Sequence, residues 1–316
     1  MLDAADPAAA KFLDPVRCAD GALRARVAPT GLRTLWINTG TLCNIACTNC
    51  YIESSPTNDR LVYITADEAA PLIDEALAAG ATEVGFTGGE PFMNRDLFAM
   101  ARHVLSRSAD ATVLILTNAM TPMARPGVRR SIRAAVEEYG ARFRLRVSLD
   151  AADAAGHDAE RGPGAFDKSL KGLSWLCEIG AAVSVAGRAA MNAAGADAVA
   201  AYQHLFDAHS LAIDATDPER LVLFPEMEVD ADPPEISEGC WSIVGVRPGD
   251  MMCASSRMVV KRKGAAAPAI LACTLIPYDD RFELGASLAE ADRPVALNHP
   301  HCATFCVLGG ASCSGG

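Results

Sequence analysis

The chain has no long hydrophobic run and no basic, apolar beginning. No stretch of about 18 apolar residues, the length that a membrane helix needs, is free of a charged residue or a helix breaker. The first residues, MLDAADPAAAKFLDPVR, carry acidic charges and a proline where a secretory signal needs a basic start and an apolar run. We therefore expect a cytoplasmic protein without a membrane partner.

Positive charge is also scarce. The sequence has 28 Lys and Arg residues against 39 Asp and Glu residues, a formal net charge of −11. Non-specific affinity for nucleic acid comes largely from Lys and Arg that neutralise phosphates, so the composition argues against a nucleic-acid partner. The one basic run, Lys261-Arg262-Lys263, is short and stands beside Gly264 between apolar segments, which predicts a solvated hairpin tip.

Cysteine, in contrast, is abundant, with eleven residues in a chain of 316. In a cytosolic protein, clustered cysteines more often bind metal or carry out redox chemistry than form disulfides. Three of them lie within residues 43–50 and six within residues 240–313, while Cys18 and Cys177 stand alone and are assigned structural roles. The distribution predicts two separate cysteine sites.

Short β-rich runs alternate with longer helical patterns from about residue 33. Strands are predicted at 34–38, 83–87, 112–117, 142–150, 183–187 and 220–224, and helices at 67–79, 95–107, 127–139, 169–179 and 198–210. Thr65 is the expected N-cap of the first helix. Six β/α units in series imply a parallel sheet, either doubly wound or curved into a partial barrel, with the chemistry at the C-terminal ends of its strands.

The first cysteine group, Cys43-x3-Cys47-x2-Cys50, follows the first strand. A [4Fe–4S] cluster normally takes four protein thiolates, so this group is one ligand short. A structural zinc site usually adds a second C-x2-C pair, and no such pair lies near in sequence. The spacing resembles that of the radical S-adenosylmethionine (SAM) superfamily, in which three thiolates hold the cluster and the methionyl amino and carboxylate groups of SAM chelate the fourth iron.

A second motif, Thr87-Gly88-Gly89-Glu90, follows the second strand. Alone, it is compatible with a simple turn. Its place one β/α unit after the cysteine loop resembles the Gly-Gly-Glu motif of the superfamily, whose backbone and acid receive the methionyl ammonium. Two glycines allow close backbone approach, and a carboxylate is a natural acceptor for an ammonium group.

Weaker matches follow the later strands. Asn118 resembles the superfamily's Thr-Asn-Gly position, although Ala119 replaces the glycine. The resemblance implies SAM contacts from three further segments, which contribute Ser148, Asp150, Arg161 and Arg188. Of these, Ser148 is a candidate for a hydrogen bond to the ribose or the carboxylate. Arg161 and Arg188 are rival partners for the methionyl carboxylate, because a guanidinium fork suits that group, and ordinary ion pairs are the alternative role for both.

One position departs from the superfamily's pattern. Where its members usually have an aromatic residue before the third cysteine, this chain has Asn49, and Tyr51 follows one position after that cysteine. Tyr51 is therefore the candidate for the adenine contact.

The second cysteine group brackets the segment LACTLIPYDDRFELGASL. It resembles the twitch domain of some radical SAM enzymes, a half-length version of the double-cluster SPASM domain, and so implies an auxiliary [4Fe–4S] cluster. Four thiolates suffice for one cluster, and the candidates are Cys253, Cys273, Cys302 and Cys306. The first two flank a predicted hairpin, and the last two are one helical turn or a tight loop apart.

Two cysteines are surplus to that cluster. Cys313, in GGASCSGG, is the strongest rival ligand, and His299 or His301 would have to join for a second auxiliary cluster. Cys240 is a candidate ligand, a candidate hydrogen-atom donor in catalysis or a buried thiol, which is the usual fate of a lone cysteine.

The resemblance implies a partial (β/α)6 TIM-like barrel with a small cysteine-rich C-terminal α+β domain. The expected divisions are an N-terminal extension (1–30), the radical SAM barrel (31–225), a linker (226–245) and the auxiliary-cluster domain (246–316). Such an enzyme cleaves SAM reductively to a 5′-deoxyadenosyl radical, which removes a hydrogen atom from the substrate. A low-potential electron donor such as flavodoxin or ferredoxin is then the expected protein partner.

The substrate is less determined. Branches with comparable auxiliary domains act on an aminocyclitol alcohol or on GTP, but Ser256 stands where the GTP branch has its second auxiliary cysteine. Peptide-modifying branches usually add a recognition domain, and only about 30 residues precede the predicted barrel. A small molecule is the favoured substrate class and a peptide the alternative. A non-enzymatic electron-transfer protein is a rival from another class, although it would have no use for Gly88, Gly89 and Glu90.

Overall fold

The computed structural model of the chain describes residues 11–189, 196–225 and 232–310. Among these residues one sheet has nine strands, in the order β10-β9-β8-β2-β3-β4-β5-β6-β7, and β1 pairs with β11. The strands are β1 Arg26–Val27, β2 Thr34–Asn38, β3 Glu83–Thr87, β4 Thr112–Thr117, β5 Phe143–Ser148, β6 Ala182–Arg188, β7 Leu221–Phe224, β8 Ser256–Val260, β9 Ala269–Leu271, β10 Glu283–Gly285 and β11 Val295–Ala296.

Helices connect the parallel strands β2 to β7. The α-helices are α1 Ala66–Ala78, α2 Leu97–Arg107, α3 Thr121–Ala124, α4 Pro126–Tyr139, α5 Ala154–Arg161, α6 Ala165–Glu178, α7 Ala196–Ala208, α8 Trp241–Val244, α9 Met252–Ser255 and α10 Leu288–Ala291. Short 3₁₀ segments lie at Pro91–Met93, Gly140–Arg142, Glu238–Cys240, Pro248–Asp250 and Asp280–Phe282, and a π-helical segment at Cys302–Val307. The predicted partial TIM-like barrel is confirmed.

Local sequence explains why these elements form. Thr65 is the N-cap of α1 and forms a capping box with Glu68, so each residue satisfies a backbone N–H of the other. The buried positions of α1 recur with helical spacing at Ala69, Leu72, Ile73 and Ala76. Strand β2, TLWIN, is buried along its whole length, as expected for a parallel strand covered on both faces.

Trp36 of β2 is buried in the interior of the barrel, where it also lines part of a cavity. A Cβ atom at Gly85 of β3 would lie 2.4 Å from the Trp36 ring, so only glycine leaves room for the indole there. Trp36 belongs to a buried apolar cluster with Leu61, Leu114, Met258, Val260 and Leu271. Residues far apart in sequence therefore close the interior together.

The C-terminal segment extends the barrel sheet. Strand β8 runs parallel to β2, and β9 pairs with β8 in antiparallel register, which confirms the predicted hairpin. The basic run lies at the turn of this hairpin, and its last residue, Lys263, is exposed as predicted, whereas Lys261 and Arg262 are not fully solvated. Lys261 is 9% exposed and its Nζ lies 2.5 Å from Glu68 Oε1, while Arg262 pairs with Glu283 and Lys263 with Asp59.

The predicted domain divisions remain predictions. Strand β8, from the predicted auxiliary domain, joins the barrel sheet, and β1, from the predicted N-terminal extension, pairs with β11 of the same auxiliary domain. The first half of the predicted linker lies partly outside the described residues, and its second half contains α8. Within the described ranges, every helix is too short or too polar to cross a membrane.

Candidate active site

A cavity of about 190 Å³ lies at the C-terminal ends of the parallel strands. Loops that follow β2 to β6, together with the ends of those strands, supply its polar wall. All but one of the residues predicted for the first cluster and for SAM line this cavity, namely Cys43, Cys47, Cys50, Tyr51, Thr87, Gly88, Gly89, Asn118, Ser148, Asp150, Arg161 and Arg188. The fold thus brings together side chains that are separated by up to 145 positions in sequence.

Two cysteines of the first group, Cys43 and Cys50, are held by hydrogen bonds to the backbone. The Cys43 N–H donates to the Ser55 carbonyl at 3.0 Å, and the Ser54 N–H donates to Cys50 Sγ at 3.2 Å. Burial raises the pKa of the Cys43 thiol to about 12, and it also raises the pKa of the Cys47 thiol. These thiols therefore need a bound cation to become thiolates.

Within residues 11–189, 196–225 and 232–310, no group of three or more His, Cys, Asp or Glu side chains is placed to hold a metal ion. A [4Fe–4S] cluster spreads its thiolate ligands over several irons, and three thiols around one cavity suit such a group.

The two glycines after β3 lie against the start of the cysteine loop. A Cβ at Gly88 would be 2.5 Å from the Gly40 carbonyl oxygen, and a Cβ at Gly89 would be 2.2 Å from the Leu42 oxygen. Gly88 also has a φ of +131°, which disfavours other residues. Both glycines line the cavity, so their small size serves the packing of the cysteine loop as well as access to the cavity.

Glu90 is the predicted site residue that does not line the cavity. Its side chain is buried, and its carboxylate accepts hydrogen bonds from Phe92 N at 3.2 Å, Thr117 Oγ1 at 2.9 Å and Asn118 N at 2.9 Å. Burial raises the pKa of this carboxyl to about 7, although the hydrogen bonds oppose that shift. The carboxylate ties the end of β3 to the end of β4, and its predicted contact with the methionyl ammonium stays a prediction.

Two arginines and a carboxylate form the charged part of the cavity wall. Arg161 donates to Asp150 from Nε at 2.5 Å and from Nη2 at 3.0 Å, and Arg188 Nε lies 3.6 Å from the same carboxylate. Burial alone would raise the pKa of Asp150, but Arg161 and then Arg188 outweigh it and hold this pKa below its usual value. Among the described residues, Nη1 of Arg161 makes no hydrogen bond, so Arg161 retains donors that Asp150 does not use.

A buried histidine behind this wall had no predicted role. His157 Nδ1 accepts from Asp150 N at 3.1 Å, and Nε2 lies 3.5 Å from Ser169 Oγ, which donates to the Asn118 carbonyl at 2.9 Å. Burial, followed by the charge of Arg161, lowers the pKa of His157 to about 4. The neutral ring thus connects the ends of β5 and β4. The available sequence signal was its position four residues before Arg161, in the run His157-Asp158-x-x-Arg161-Gly162.

The second cysteine group surrounds another cavity, of about 20 Å³. Cys253 on α9, Cys273 after β9, and Cys302 and Cys306 on the π-helical segment all line it, together with His301. Burial raises the pKa of the Cys253 thiol to about 11 and that of the Cys302 thiol to about 12. The four predicted auxiliary ligands are therefore neighbours, whereas Cys313 lies outside the described residues.

The two cavities share a wall. Leu275 lines both, and Thr274 and Phe305, the chain neighbours of Cys273 and Cys306, line the larger one.

Cys240 lines neither cavity. Its Sγ lies 3.4 Å from both the N and the Oγ of Ser237, at the start of a short helical segment. The geometry gives no support to the predicted catalytic role of Cys240, and the structural alternative, a thiol packed against the core, fits its position.

Sequence reasoning missed the apolar half of the larger cavity, which is formed by Trp36, Ile45, Ile52, Leu116, Leu275, Phe224 and Phe305. These residues belong to strands, to loops or, for Phe305, to the π-helical segment, and their hydrophobic pattern does not distinguish a cavity wall from a packed core. Glu160 was also missed, because nothing in the sequence pairs it with the cysteine loop.

Comparison with known proteins agrees with this geometry. Residues 37–191 match the family model of the Radical SAM superfamily. Over 135 residues the chain is 35% identical to the AdoMet-dependent heme synthase of Methanosarcina barkeri, which covers 42% of this chain and 36% of that protein. Over 139 residues it is 27% identical to the mycofactocin maturase MftC of Mycolicibacterium smegmatis, with 44% and 32% covered. The matched region thus spans about a third of the length of these curated relatives.

Solved structures share the fold over most of the chain. Streptococcus suis SuiB bound to S-adenosylmethionine superposes with a TM-score of 0.58 at 13% identity, over 81% of this chain and 64% of that one. The structure of anSMEcpe with bound AdoMet gives a TM-score of 0.57 at 14% identity, over 82% and 77%.

Proposed function

Because residues 37–191 belong to the Radical SAM superfamily, we propose that this protein is an enzyme that removes a hydrogen atom from a substrate held in the larger cavity. The observation that carries the proposal is the convergence of three cysteines, the Gly88-Gly89 turn and the Asp150–Arg161 pair on one cavity. When bound there, a [4Fe–4S] cluster and SAM supply the 5′-deoxyadenosyl radical that accepts the hydrogen atom.

The cluster would be held by Cys43, Cys47 and Cys50. Their thiols must lose protons when they bind iron, because burial keeps the Cys43 and Cys47 thiols protonated otherwise. The Ser54 N–H that already points at Cys50 Sγ would stabilise negative charge on that sulfur.

SAM would lie across the ends of β3 to β6. The backbone at Gly88 and Gly89 would receive the methionyl ammonium, and Arg161 would receive the carboxylate through the N–H groups that Asp150 leaves unused. Asn118 and Ser148 would supply hydrogen bonds, and Tyr51 would contact the adenine. Arg188 already donates to the Asn49 carbonyl, which favours Arg161 over Arg188 as the carboxylate partner.

The smaller cavity would hold the auxiliary [4Fe–4S] cluster on Cys253, Cys273, Cys302 and Cys306. Four thiolates complete such a cluster, and the apolar surroundings of these cysteines shield it from water. The expected partner is a low-potential electron donor of the flavodoxin or ferredoxin kind.

The favoured substrate is a small molecule with an apolar portion. The side of the larger cavity away from the charged wall consists of aliphatic and aromatic side chains, which would bind such a portion by burying it. A peptide side chain is the alternative, which the similarity to a maturase keeps open.

The test is anaerobic reconstitution with iron and sulfide, followed by addition of SAM and dithionite. We expect 5′-deoxyadenosine to accumulate with the wild-type protein. The matched control is the triple variant Cys43→Ala/Cys47→Ala/Cys50→Ala, which should form none and should lose only one cluster's iron. Equal 5′-deoxyadenosine from both proteins, or none from the reconstituted wild type, would overturn the proposal in favour of an electron-transfer protein.

A further inference from the structure

The peptide that precedes the third cysteine is fastened to the last turn of α5. Thr48 N donates to the Glu160 carbonyl at 2.9 Å. Asn49 donates two hydrogen bonds to the Glu160 carboxylate, from its backbone N to Oε2 at 3.2 Å and from its side-chain Nδ2 to Oε1 at 2.8 Å. One residue of α5 therefore holds two consecutive residues of the cysteine loop.

The carboxylate that makes these contacts is enclosed and charge-compensated. Glu160 is 6% exposed. Arg188 of β6 places Nη2 3.7 Å from Glu160 Oε2 and donates to the Asn49 carbonyl at 2.5 Å. The N–H, the amide nitrogen and the carbonyl of Asn49 are thus all engaged, and the guanidinium offsets part of the cost of burying the carboxylate.

The pairing is selective for these residue types. An aromatic side chain at position 49 would offer no amide donor to Glu160 Oε1, and an aspartate would place a second carboxylate against the first. Asn49 stands where the superfamily's members usually have an aromatic residue. The Asn49–Glu160 contact therefore depends on the residue by which this chain departs from the superfamily's pattern.

The consequence reaches the cavity through the next two residues. Cys50 and Tyr51 follow Asn49 directly and both line the cavity. The Arg188 guanidinium lies 5.0 Å from the centre of the Tyr51 ring, and the Tyr51 hydroxyl donates to the Pro225 carbonyl at 3.2 Å. The backbone that Glu160 holds therefore sets where the third thiol and the aromatic ring stand.

We propose that Glu160 is a positioning residue, which through Asn49 holds Cys50 and Tyr51 in the geometry that binds the cluster and SAM. The inference rests on the proposed function for its ligands. It assigns Asn49 to the protein framework and leaves Tyr51 as the aromatic face of the cavity.

A charge-swap series tests the proposal. Asn49→Asp sets two carboxylates against each other and removes the charged hydrogen bond that holds the peptide before Cys50, so we expect SAM binding to weaken about tenfold or more. Glu160→Gln alone should weaken SAM binding only slightly, because the Asn49 side-chain amide can rotate and accept a hydrogen bond from the new glutamine amide. In the double variant Asn49→Asp/Glu160→Gln, the glutamine amide at position 160 can donate to the carboxylate at position 49. This variant should recover most of the SAM affinity. Glu178→Gln, at the exposed end of α6, is the matched control.

The readouts are the iron content, the electron paramagnetic resonance spectrum of the reduced protein with and without SAM, and the SAM dissociation constant. If Asn49→Asp does not fold, Asn49→Ser takes its place in the series, because it removes the side-chain amide donor without adding a charge. Recovery of affinity and spectrum in the double variant supports the proposal. It is overturned if all variants match the wild type, or if the double variant is no better than Asn49→Asp. A wild type that binds neither SAM nor a first cluster instead contradicts the proposed function.

Discussion

At the ends of β3 and β4, one buried carboxylate accepts three hydrogen bonds. Replacing Glu90 by glutamine leaves one amide N–H facing a backbone N–H, because Glu90 Oε2 accepts from Asn118 N and Oε1 accepts from Phe92 N. We expect Glu90→Gln to lower the free energy of unfolding by about 1–3 kcal/mol, the cost of a buried polar group left unsatisfied.

Chemical denaturation measures this loss, with the exposed Glu137→Gln on α4 as the control. If Glu90→Gln were as stable as the wild type and yet bound SAM weakly, the acid would act on the ligand and its structural role would be minor.

The second residue-scale prediction concerns pH. The pKa of His157 is about 4 in the folded protein against an unperturbed value of about 6.5, so the unfolded chain binds the proton more readily. The stability contributed by the neutral ring is therefore complete above pH 6.5 and is lost as the pH falls towards 4. The charges that face the ring are those of Arg161, Asp150 and Asp158.

In His157→Asn, Oδ1 replaces Nδ1 as the acceptor for Asp150 N, and the side chain does not titrate. We expect the stability advantage of the wild type over His157→Asn to shrink by about 2 kcal/mol between pH 7 and pH 5. Urea unfolding at the two pH values measures it. A constant difference would mean that the ring titrates alike in the folded and unfolded chains.

At the scale of elements, local pattern predicted most of the barrel. The strands at 34–38, 83–87 and 112–117 are found at the predicted residues, and α1 starts after Thr65 as its capping box indicates. Strand β5 ends at Ser148 instead of residue 150, although Leu149 N still donates to the Ala186 carbonyl and Asp150 O still accepts from Arg188 N. The predicted and observed strands differ only at their ends, where assignments commonly shift by one or two residues.

Two C-terminal elements position the four cysteines that are predicted to hold the auxiliary cluster. The β8–β9 hairpin is flanked by Cys253 and Cys273, and the π-helical segment carries Cys302 and Cys306 one turn apart. We expect Cys302→Ala or Cys306→Ala to lose one cluster's iron, about four atoms per chain, and Cys313→Ala to keep it.

Iron analysis and Mössbauer spectroscopy of the reconstituted variants measure this outcome. Loss of that cluster in Cys313→Ala with retention in Cys302→Ala would reverse the ligand assignment.

At the scale of the whole molecule, the C-terminal segment is part of the barrel's core. Met258, Val260 and Leu271 pack with Trp36 inside the sheet, and the Tyr278 hydroxyl donates to the Ile52 carbonyl of the cysteine loop at 2.8 Å. Each buried apolar side chain contributes about 1.5–3 kcal/mol, so removing the hairpin removes an amount comparable with the net stability of a domain.

We therefore expect a chain that ends after residue 245 to be insoluble or unfolded, although residues 37–191 match the family model by themselves. A chain that ends after residue 310 keeps the described contacts and is the control. Soluble expression and circular dichroism of the two truncated chains measure whether each one folds. A cooperatively folded chain ending at 245 would show that the barrel and the C-terminal segment are separable domains.

The sequence by itself determined the order and type of the barrel elements, the grouping of the cysteines and most of the polar cavity wall. These follow from short-range signals: hydrophobic period, caps and the spacing of motifs along adjacent loops. Cys43, Cys47 and Cys50 are within eight positions of one another, and their proximity needs little folding.

Only the tertiary structure decided which side chains face each other across long separations. It turned Glu90 away from the cavity, set Cys240 apart from both cysteine sites, and placed Glu160 against Asn49, 111 positions away. It also brought Trp36 and Phe305 together in the apolar wall of the larger cavity. The physical reason is that such contacts arise from the packing of several strands and helices at once, whereas a sequence pattern records only the period of one element at a time.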